Sequence, residues 1–71
     1  MMDQAEIDTI ARNIRDNLED IGIYGRRMLH YRQGFSVQVM RLNSDTTGVR
    51  AYGITETEFQ PILDAIPTVD L

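Results

Sequence analysis

The stretch Phe35-Ser36-Val37-Gln38-Val39-Met40 lies at the middle of the 71-residue chain and carries a Phe or Val at every second position. Alternation with a period of two is typical of a β-strand that buries one face and exposes the other. The stretch therefore predicts a central strand whose Phe35, Val37 and Val39 side chains face a core.

The segments on either side of this strand predict two further strands. Residues 43–48 are rich in turn-forming residues, and residues 49–54 have the composition of a returning strand. Upstream, residues 26–32 are compatible with a strand, which Gln33 and Gly34 can join to the central one through a two-residue turn. The middle of the chain thus predicts a three-stranded antiparallel meander.

An amphipathic helix is predicted before the meander. Asp3 can cap its N-terminus, and Glu6 three residues later completes a pattern similar to a capping box. Apolar residues then recur at three- and four-residue spacing, which places them on one face of a helix over residues 3–21. These residues are Ile7, Ile10, Ala11, Ile14, Leu18 and Ile21.

A second helix is predicted after the meander. Thr55 and Glu58 form a Thr-x-x-Glu capping box, and residues 59–66 carry apolar side chains at helical spacing. Pro61 lacks the backbone N–H that a helix interior uses. Two alternatives follow: the helix starts after Thr55 and bends at Pro61, or it starts later with Pro61 at its first position.

The order of elements predicts an α+β fold, α-β-β-β-α, in one small domain that spans residues 1–71. Two amphipathic helices need a surface to cover, and we expect both to pack on one face of the meander. The two-residue turn pairs Arg32 with Phe35, and Leu42 is expected opposite Val49. The predicted helix-covered face then holds Met28, His30, Phe35, Val37, Val39, Tyr52 and Ile54. The predicted open face holds Arg27, Leu29, Tyr31, Ser36, Gln38, Met40, Leu42, Val49 and Ala51.

An apolar patch on the predicted open face indicates an interaction site, since small proteins rarely expose contiguous apolar surface. Tyr, Met and Arg are also enriched at protein interfaces. We therefore predict a partner-binding site of Arg27, Leu29, Tyr31, Met40 and Leu42. A chain of this length buries little surface on its own and has no Cys for disulfides, so a homodimer is expected.

Charge separates by segment along the chain. Residues 1–21 and 55–71 each carry a net charge of −4, whereas residues 22–54 carry five Arg and one acid, a net charge of +4. Three interpretations are open. The arginines pair with helix carboxylates inside the molecule, or Arg and Tyr of the strands form a nucleic-acid surface, or the acidic helices occupy a basic groove of a partner. The overall charge of −4 disfavours the nucleic-acid surface.

The sequence offers no catalytic residues, metal site or cofactor motif. It has no Cys and one His, and it contains no phosphate-binding loop, zinc-protease motif or calcium loop. His30 falls on the predicted core face, which favours a hydrogen-bonded structural histidine. No apolar run approaches the length of a membrane span, and the N-terminus lacks the features of a signal peptide. We therefore expect a cytoplasmic protein without a membrane partner.

These observations favour a non-enzymatic protein-interaction module that binds and modulates a macromolecular partner. The alternatives are a nucleic-acid-binding protein that uses the Arg- and Tyr-bearing sheet, and a small structural or connector component of a viral particle. In size, element order and acidity the chain is similar to phage and prophage accessory proteins, inhibitors of host defence among them. This similarity is one of dimensions, and no sequence motif carries it.

Overall fold

The computed structural model describes residues 2–70 and has the element order expected from the sequence. Its three strands form one antiparallel sheet in the order β1-β2-β3, which confirms the α+β meander. The elements are α1 (Gln4–Asp20), β1 (Arg26–Tyr31), β2 (Phe35–Arg41), β3 (Thr47–Tyr52) and α2 (Glu56–Ala65).

Both helices begin where side-chain caps satisfy backbone N–H groups of the first turn. The Asp3 carboxylate accepts a hydrogen bond from the Glu6 N–H at 2.8 Å, and Thr55 Oγ1 accepts one from the Glu58 N–H at 3.2 Å. The second helix begins at Glu56 and continues through Pro61. The earlier of its two predicted starts is therefore the correct one, with Pro61 on the exposed side of the helix.

The hairpin between β1 and β2 differs from the prediction by one residue. Tyr31 pairs with Phe35, so the loop has three residues, 32–34, and the predicted pairing of Arg32 with Phe35 is wrong. Gly34 has a φ of +103°, whereas Gln33 is not left-handed. A two-residue type I′ turn needs positive φ at both central positions, which only Gly34 supplies here, while a three-residue loop needs it at one.

The hairpin between β2 and β3 differs by more. Val49 lies opposite Val39, where the predicted register placed Tyr52, so β3 is shifted by three residues. Asn43 Oδ1 accepts hydrogen bonds at 2.8 Å from the backbone N–H groups two and three residues further along. Because this side-chain turn begins at Asn43, the chain reverses earlier than predicted.

Odd shifts in register move every side chain of a strand to the opposite face of the sheet. The predicted faces of β1 and β3 are therefore exchanged, while β2 faces as predicted. The helix-covered face holds Arg27, Leu29, Tyr31, Phe35, Val37, Val39, Val49 and Ala51. The open face holds Arg26, Met28, His30, Ser36, Gln38, Met40, Gly48, Arg50 and Tyr52.

The core lies between the two helices and the covered face of the sheet. Val37, Ile14 of α1 and Ile62 of α2 are fully buried, and the rings of Phe35 and Phe59 meet edge-on with centroids 6.5 Å apart. Strand residues at the margins are only partly buried against this core: Leu29, Tyr31, Val49 and Ala51. Both helices thus contribute to one core on one side of the sheet, which leaves the other side open.

Candidate functional site on the open face of the sheet

The open face is a layer of nine side-chain positions arranged in three cross-strand rows. The first row is Arg26, Met40 and Gly48, the second is Met28, Gln38 and Arg50, and the third is His30, Ser36 and Tyr52. Neighbouring strands lie about 4.8 Å apart and alternate residues of a strand about 7 Å apart. The face therefore measures roughly 10 by 14 Å between Cα atoms, enough for a short extended ligand.

Apolar and polar side chains are interspersed on the open face. Met28 and Tyr52 are each 43% exposed. The side chain of Met40 occupies the space over Gly48, since a Cβ at residue 48 would come within 2.9 Å of Met40 Cγ. The absence of a side chain at Gly48 thus determines where Met40 lies. The resulting surface presents two thioethers and one phenol ring among hydrogen-bonding groups.

The open face carries positive charge and no carboxylate. Arg26 and Arg50 are exposed, and within residues 2–70 neither guanidinium forms a hydrogen bond or an ion pair. Arg27, adjacent in sequence but on the covered face, contacts Asp20 Oδ2 at 2.9 Å through Nη1. Of the five arginines in residues 22–54, it alone pairs with a carboxylate of the described chain. Internal neutralisation therefore accounts for one of the five arginines.

Two of the other three ion pairs connect α1 to the C-terminal segment, and the third, Arg15 with Asp16, is local to α1. Asp70 contacts Arg12 Nη2 at 2.9 Å and Arg15 Nη2 at 3.1 Å. Hydrogen bonds from these two guanidinium groups lower the pKa of Asp70 below its ordinary value, and the same contact raises the pKa of Arg12. The arginines of α1 thus pair with a carboxylate of the C-terminal segment, away from the sheet arginines.

A histidine–serine pair lies in the third row of the open face. His30 Nδ1 is 2.8 Å from Ser36 Oγ, and His30 is exposed, so the expectation of a core histidine is wrong. The one-residue change in the β1–β2 turn explains the difference. A nucleophile needs a base that a third group orients, and no described side chain binds His30 Nε2. The pair can act as a donor and acceptor toward a ligand.

The loop before β1 lies at the corner of the sheet where β1 begins and β2 ends. Tyr24 is 80% exposed and has a left-handed φ of +67°, a conformation that is rare for a bulky residue. The Tyr24 N–H donates to the Arg41 carbonyl at 2.7 Å, which holds the loop against the end of β2. Backbone strain of this kind persists where the surroundings impose it and is frequent at binding sites.

The structure does not bring the five predicted partner-binding residues together. Arg27, Leu29 and Tyr31 lie on the covered face, where Leu29 and Tyr31 pack against the core. The Tyr31 hydroxyl donates to Asn13 Oδ1 at 2.8 Å, and burial raises the pKa of Tyr31 to about 12. Met40 is on the open face, and Leu42 is exposed just after β2. The predicted contiguous apolar patch is therefore wrong.

The open-face residues that the prediction placed in the core are Met28, His30 and Tyr52, while Arg26 and Arg50 were not singled out within the patch. A signal was present in the sequence for β1. The turn contains a single glycine, Gly34, and a single left-handed residue suits a three-residue loop better than a two-residue one. With that loop, the alternation of β1 places Arg26, Met28 and His30 outward.

A cleft of about 540 Å³ lies at the other end of the sheet, between the N-terminal ends of the two helices. Its lining is mostly apolar, with Phe35 and Pro61 among the residues, and it includes the carboxylates of Glu6 and Glu58. Both carboxylates already accept hydrogen bonds, from Gln33 Nε2 at 3.0 Å and from the Thr55 hydroxyl at 2.8 Å. These contacts give the acids a structural role, so the open face is the stronger candidate.

Residues 2–70 contain no group of three or more His, Cys, Asp or Glu side chains that could hold a metal ion. Within the same residues, neither helix has the length and apolar character needed to cross a membrane. Comparison with protein-family models, with curated proteins and with solved structures gives no significant match. The geometry and charge of the open face are therefore the best guide to function.

Proposed function

We propose that the chain is a non-enzymatic binding module that holds an anionic macromolecule on the open face of its sheet. The observation that carries the proposal is that, within residues 2–70, Arg26 and Arg50 are exposed and unpaired on a face with no carboxylate. A guanidinium offers a planar fork of donors that matches phosphate and carboxylate groups. Two such groups on separate strands can grip an anionic chain at two points.

The net charge of −4 does not oppose this proposal, because the acids lie elsewhere. Most of them are on α1 and α2, and the helix layer is about 10 Å thick. Their outward carboxylates are therefore about one Debye length or more from the open face at 0.1 M salt. At ordinary ionic strength a ligand at the open face experiences mainly the two arginines.

A protein with an acidic surface is one candidate for this anionic macromolecule and continues the expectation from the sequence. Met28, Met40 and Tyr52 favour it, since Met, Tyr and Arg are enriched at protein interfaces. An accessory or inhibitor role, as in phage proteins, and a cytoplasmic location belong to this candidate as predictions. A face-to-face homodimer is less favourable, because it would bring the arginines of both copies together.

Site-specific photocrosslinking tests the proposed function. p-Benzoylphenylalanine replaces Gln38, the central residue of the open face, and in a matched variant it replaces Gln60, which is exposed on α2. We expect a macromolecular adduct from position 38 in extracts of the source cells, and we expect added salt to reduce it. Equal adducts from both positions, or none from position 38, would contradict the proposed function.

A further inference from the structure

Four open-face residues, together with Tyr24 in the turn before β1, form a diagonal stripe that runs from the start of β1 to the end of β3. The order along this diagonal stripe is Tyr24, Arg26, Gln38, Arg50 and Tyr52. Gln38 lies directly opposite Arg50 across β2 and β3, and Arg26 is in the adjacent row on β1. From strand geometry, the Cα atoms of Arg26 and Tyr52 are about 17 Å apart.

The chemical groups alternate along the diagonal stripe in a way that fits one class of ligand. A tyrosine stands at each end of the stripe, an arginine comes next to each tyrosine, and the amide of Gln38 is at the centre. We propose that the diagonal stripe binds single-stranded nucleic acid, an inference that rests on the proposed function. The tyrosines stack on bases, the arginines contact phosphates, and Gln38 forms hydrogen bonds with a base edge.

The state of the two tyrosines favours a single strand over a duplex. Tyr24 is 80% exposed, Tyr52 is 43% exposed, and neither hydroxyl has a hydrogen-bond partner within residues 2–70. Exposed rings of this kind can stack on bases that are not already stacked in a duplex. The three-stranded face is also wider than the two-stranded ribbon that a DNA major groove admits. The open face therefore suits bases that lie against it.

The state of the arginines favours nucleic acid over an acidic polypeptide. Arg26 and Arg50 lie on the two outer strands, with their Cα atoms about 12 Å apart. A phosphate backbone carries regularly repeated negative charges whatever its base sequence. Two arginines at this separation can therefore contact it in several registers. The interleaved aromatic rings add a contact that an acidic peptide does not use.

Fluorescence anisotropy with a labelled oligothymidine of about ten nucleotides tests the inference. Two phosphate contacts predict that log K falls against log salt with a slope of about −1.4, since each contact to a single strand contributes about −0.7. Arg26→Gln and Arg50→Gln should each make the slope less steep, at about −0.7, because each removes one phosphate contact. The same oligonucleotide annealed to its complement should bind more weakly than the single strand.

Matched variants separate the diagonal stripe from general charge. Arg27→Gln removes the same charge one residue away but on the covered face, and it should leave the slope unchanged. Tyr52→Ala should weaken binding about 5- to 150-fold, the range for one base stacked on a protein ring, and Tyr52→Phe should restore it. Circular dichroism of each variant verifies that the fold is retained.

Several outcomes would overturn the inference. These are no oligonucleotide binding at low salt, equal affinity for single strand and duplex, an equal effect of Arg27→Gln and Arg26→Gln, or equally strong competition by polyglutamate. Protein adducts from position 38 together with no oligonucleotide binding would retain the proposed function and refute the nucleic-acid ligand. The two proposals can therefore fail separately.

Discussion

Tyr31→Phe tests the environment of β1, because the tyrosine hydroxyl has two roles on the covered face. The hydroxyl donates to Asn13 Oδ1 at 2.8 Å, and burial raises the pKa of Tyr31 from 10 to about 12. The substitution removes one hydrogen bond and one titrating group. It keeps the ring, whose centroid lies 5.2 Å from that of Phe35.

The effect of Tyr31→Phe on the free energy of unfolding differs between neutral and alkaline pH. A hydrogen bond of this kind contributes about 0.5–1.5 kcal/mol, and exposed Asn13 can bind water instead. We therefore expect Tyr31→Phe to lower the free energy of unfolding at neutral pH by about 0.5 kcal/mol. Above pH 10 the unfolded chain loses the Tyr31 proton, whereas the folded chain keeps it up to about pH 12. The wild-type protein therefore loses stability as the pH rises through this interval.

A full shift of two pKa units corresponds to about 2.7 kcal/mol. Because solvent still reaches the half-buried ring, we expect about 1 kcal/mol of this alkaline loss from Tyr31. Urea unfolding followed by circular dichroism at neutral pH, pH 10 and pH 12 measures it, with Tyr52→Phe as the exposed control. The deficit of Tyr31→Phe relative to wild type should shrink or reverse by pH 12. If the free energies of unfolding of wild type and Tyr31→Phe change in parallel with pH, the inferred burial of the Tyr31 hydroxyl is wrong.

The remaining predictions concern the register and the loop before β1. Leu29→Ala should lower the free energy of unfolding by about 2 kcal/mol, because Leu29 packs against the core. Met28→Ala, on the open face, should lower it by less than about 0.5 kcal/mol. Equal losses for the two variants in urea unfolding would contradict the register of β1. Gly25→Ala should destabilise by about 1–3 kcal/mol, since its Cβ would lie 2.7 Å from the Gly22 carbonyl oxygen, and an unchanged Tm would argue against this contact. Tyr24→Gly should preserve stability or raise it by up to about 1 kcal/mol, because glycine adopts the left-handed conformation without strain. The same variant should weaken oligonucleotide binding. A clear fall in Tm would show that Tyr24 is structural.

Local signals in the sequence were sufficient to predict the elements and their order. The period-two pattern at Phe35, Val37 and Val39 identified β2 and its buried face. The Asp3 cap identified the start of α1, and the Thr55 cap gave one of the two predicted starts of α2. These signals depend on neighbours within a few residues. They are correct here because the amphipathic faces and the caps agree on the same boundaries.

The register could not be obtained in the same way, because it depends on turns whose alternatives differ by one residue. At Gln33 and Gly34 a two-residue type I′ turn needs positive φ at both residues, whereas only Gly34 adopts it. At Asn43 the side-chain turn closes the loop early. Each error exchanged the faces of a strand, so residues of the right chemical types were assigned to the wrong side. Met40 lies on the open face as predicted, because the alternation of β2 was predicted correctly.

The charge layout was predicted by segment, but the pairing of charges needed three-dimensional structure. The sequence left open whether the arginines of residues 22–54 pair with helix carboxylates. The contact of Arg27 with Asp20 depends on the end of α1 lying beside β1. Arg26, one residue earlier, points to the other side of the sheet and has no such partner among residues 2–70. Strand alternation thus decides which arginines are available to a ligand.

Backbone amide chemical shifts during titration with single-stranded oligothymidine provide the most direct test that the open face is the binding surface. We predict that the changes concentrate at residues of the diagonal stripe, above all Arg26, Gln38 and Arg50, and leave the outward side of α1 unaffected. Changes concentrated on the helices, or around the cleft beside Pro61, would contradict the account.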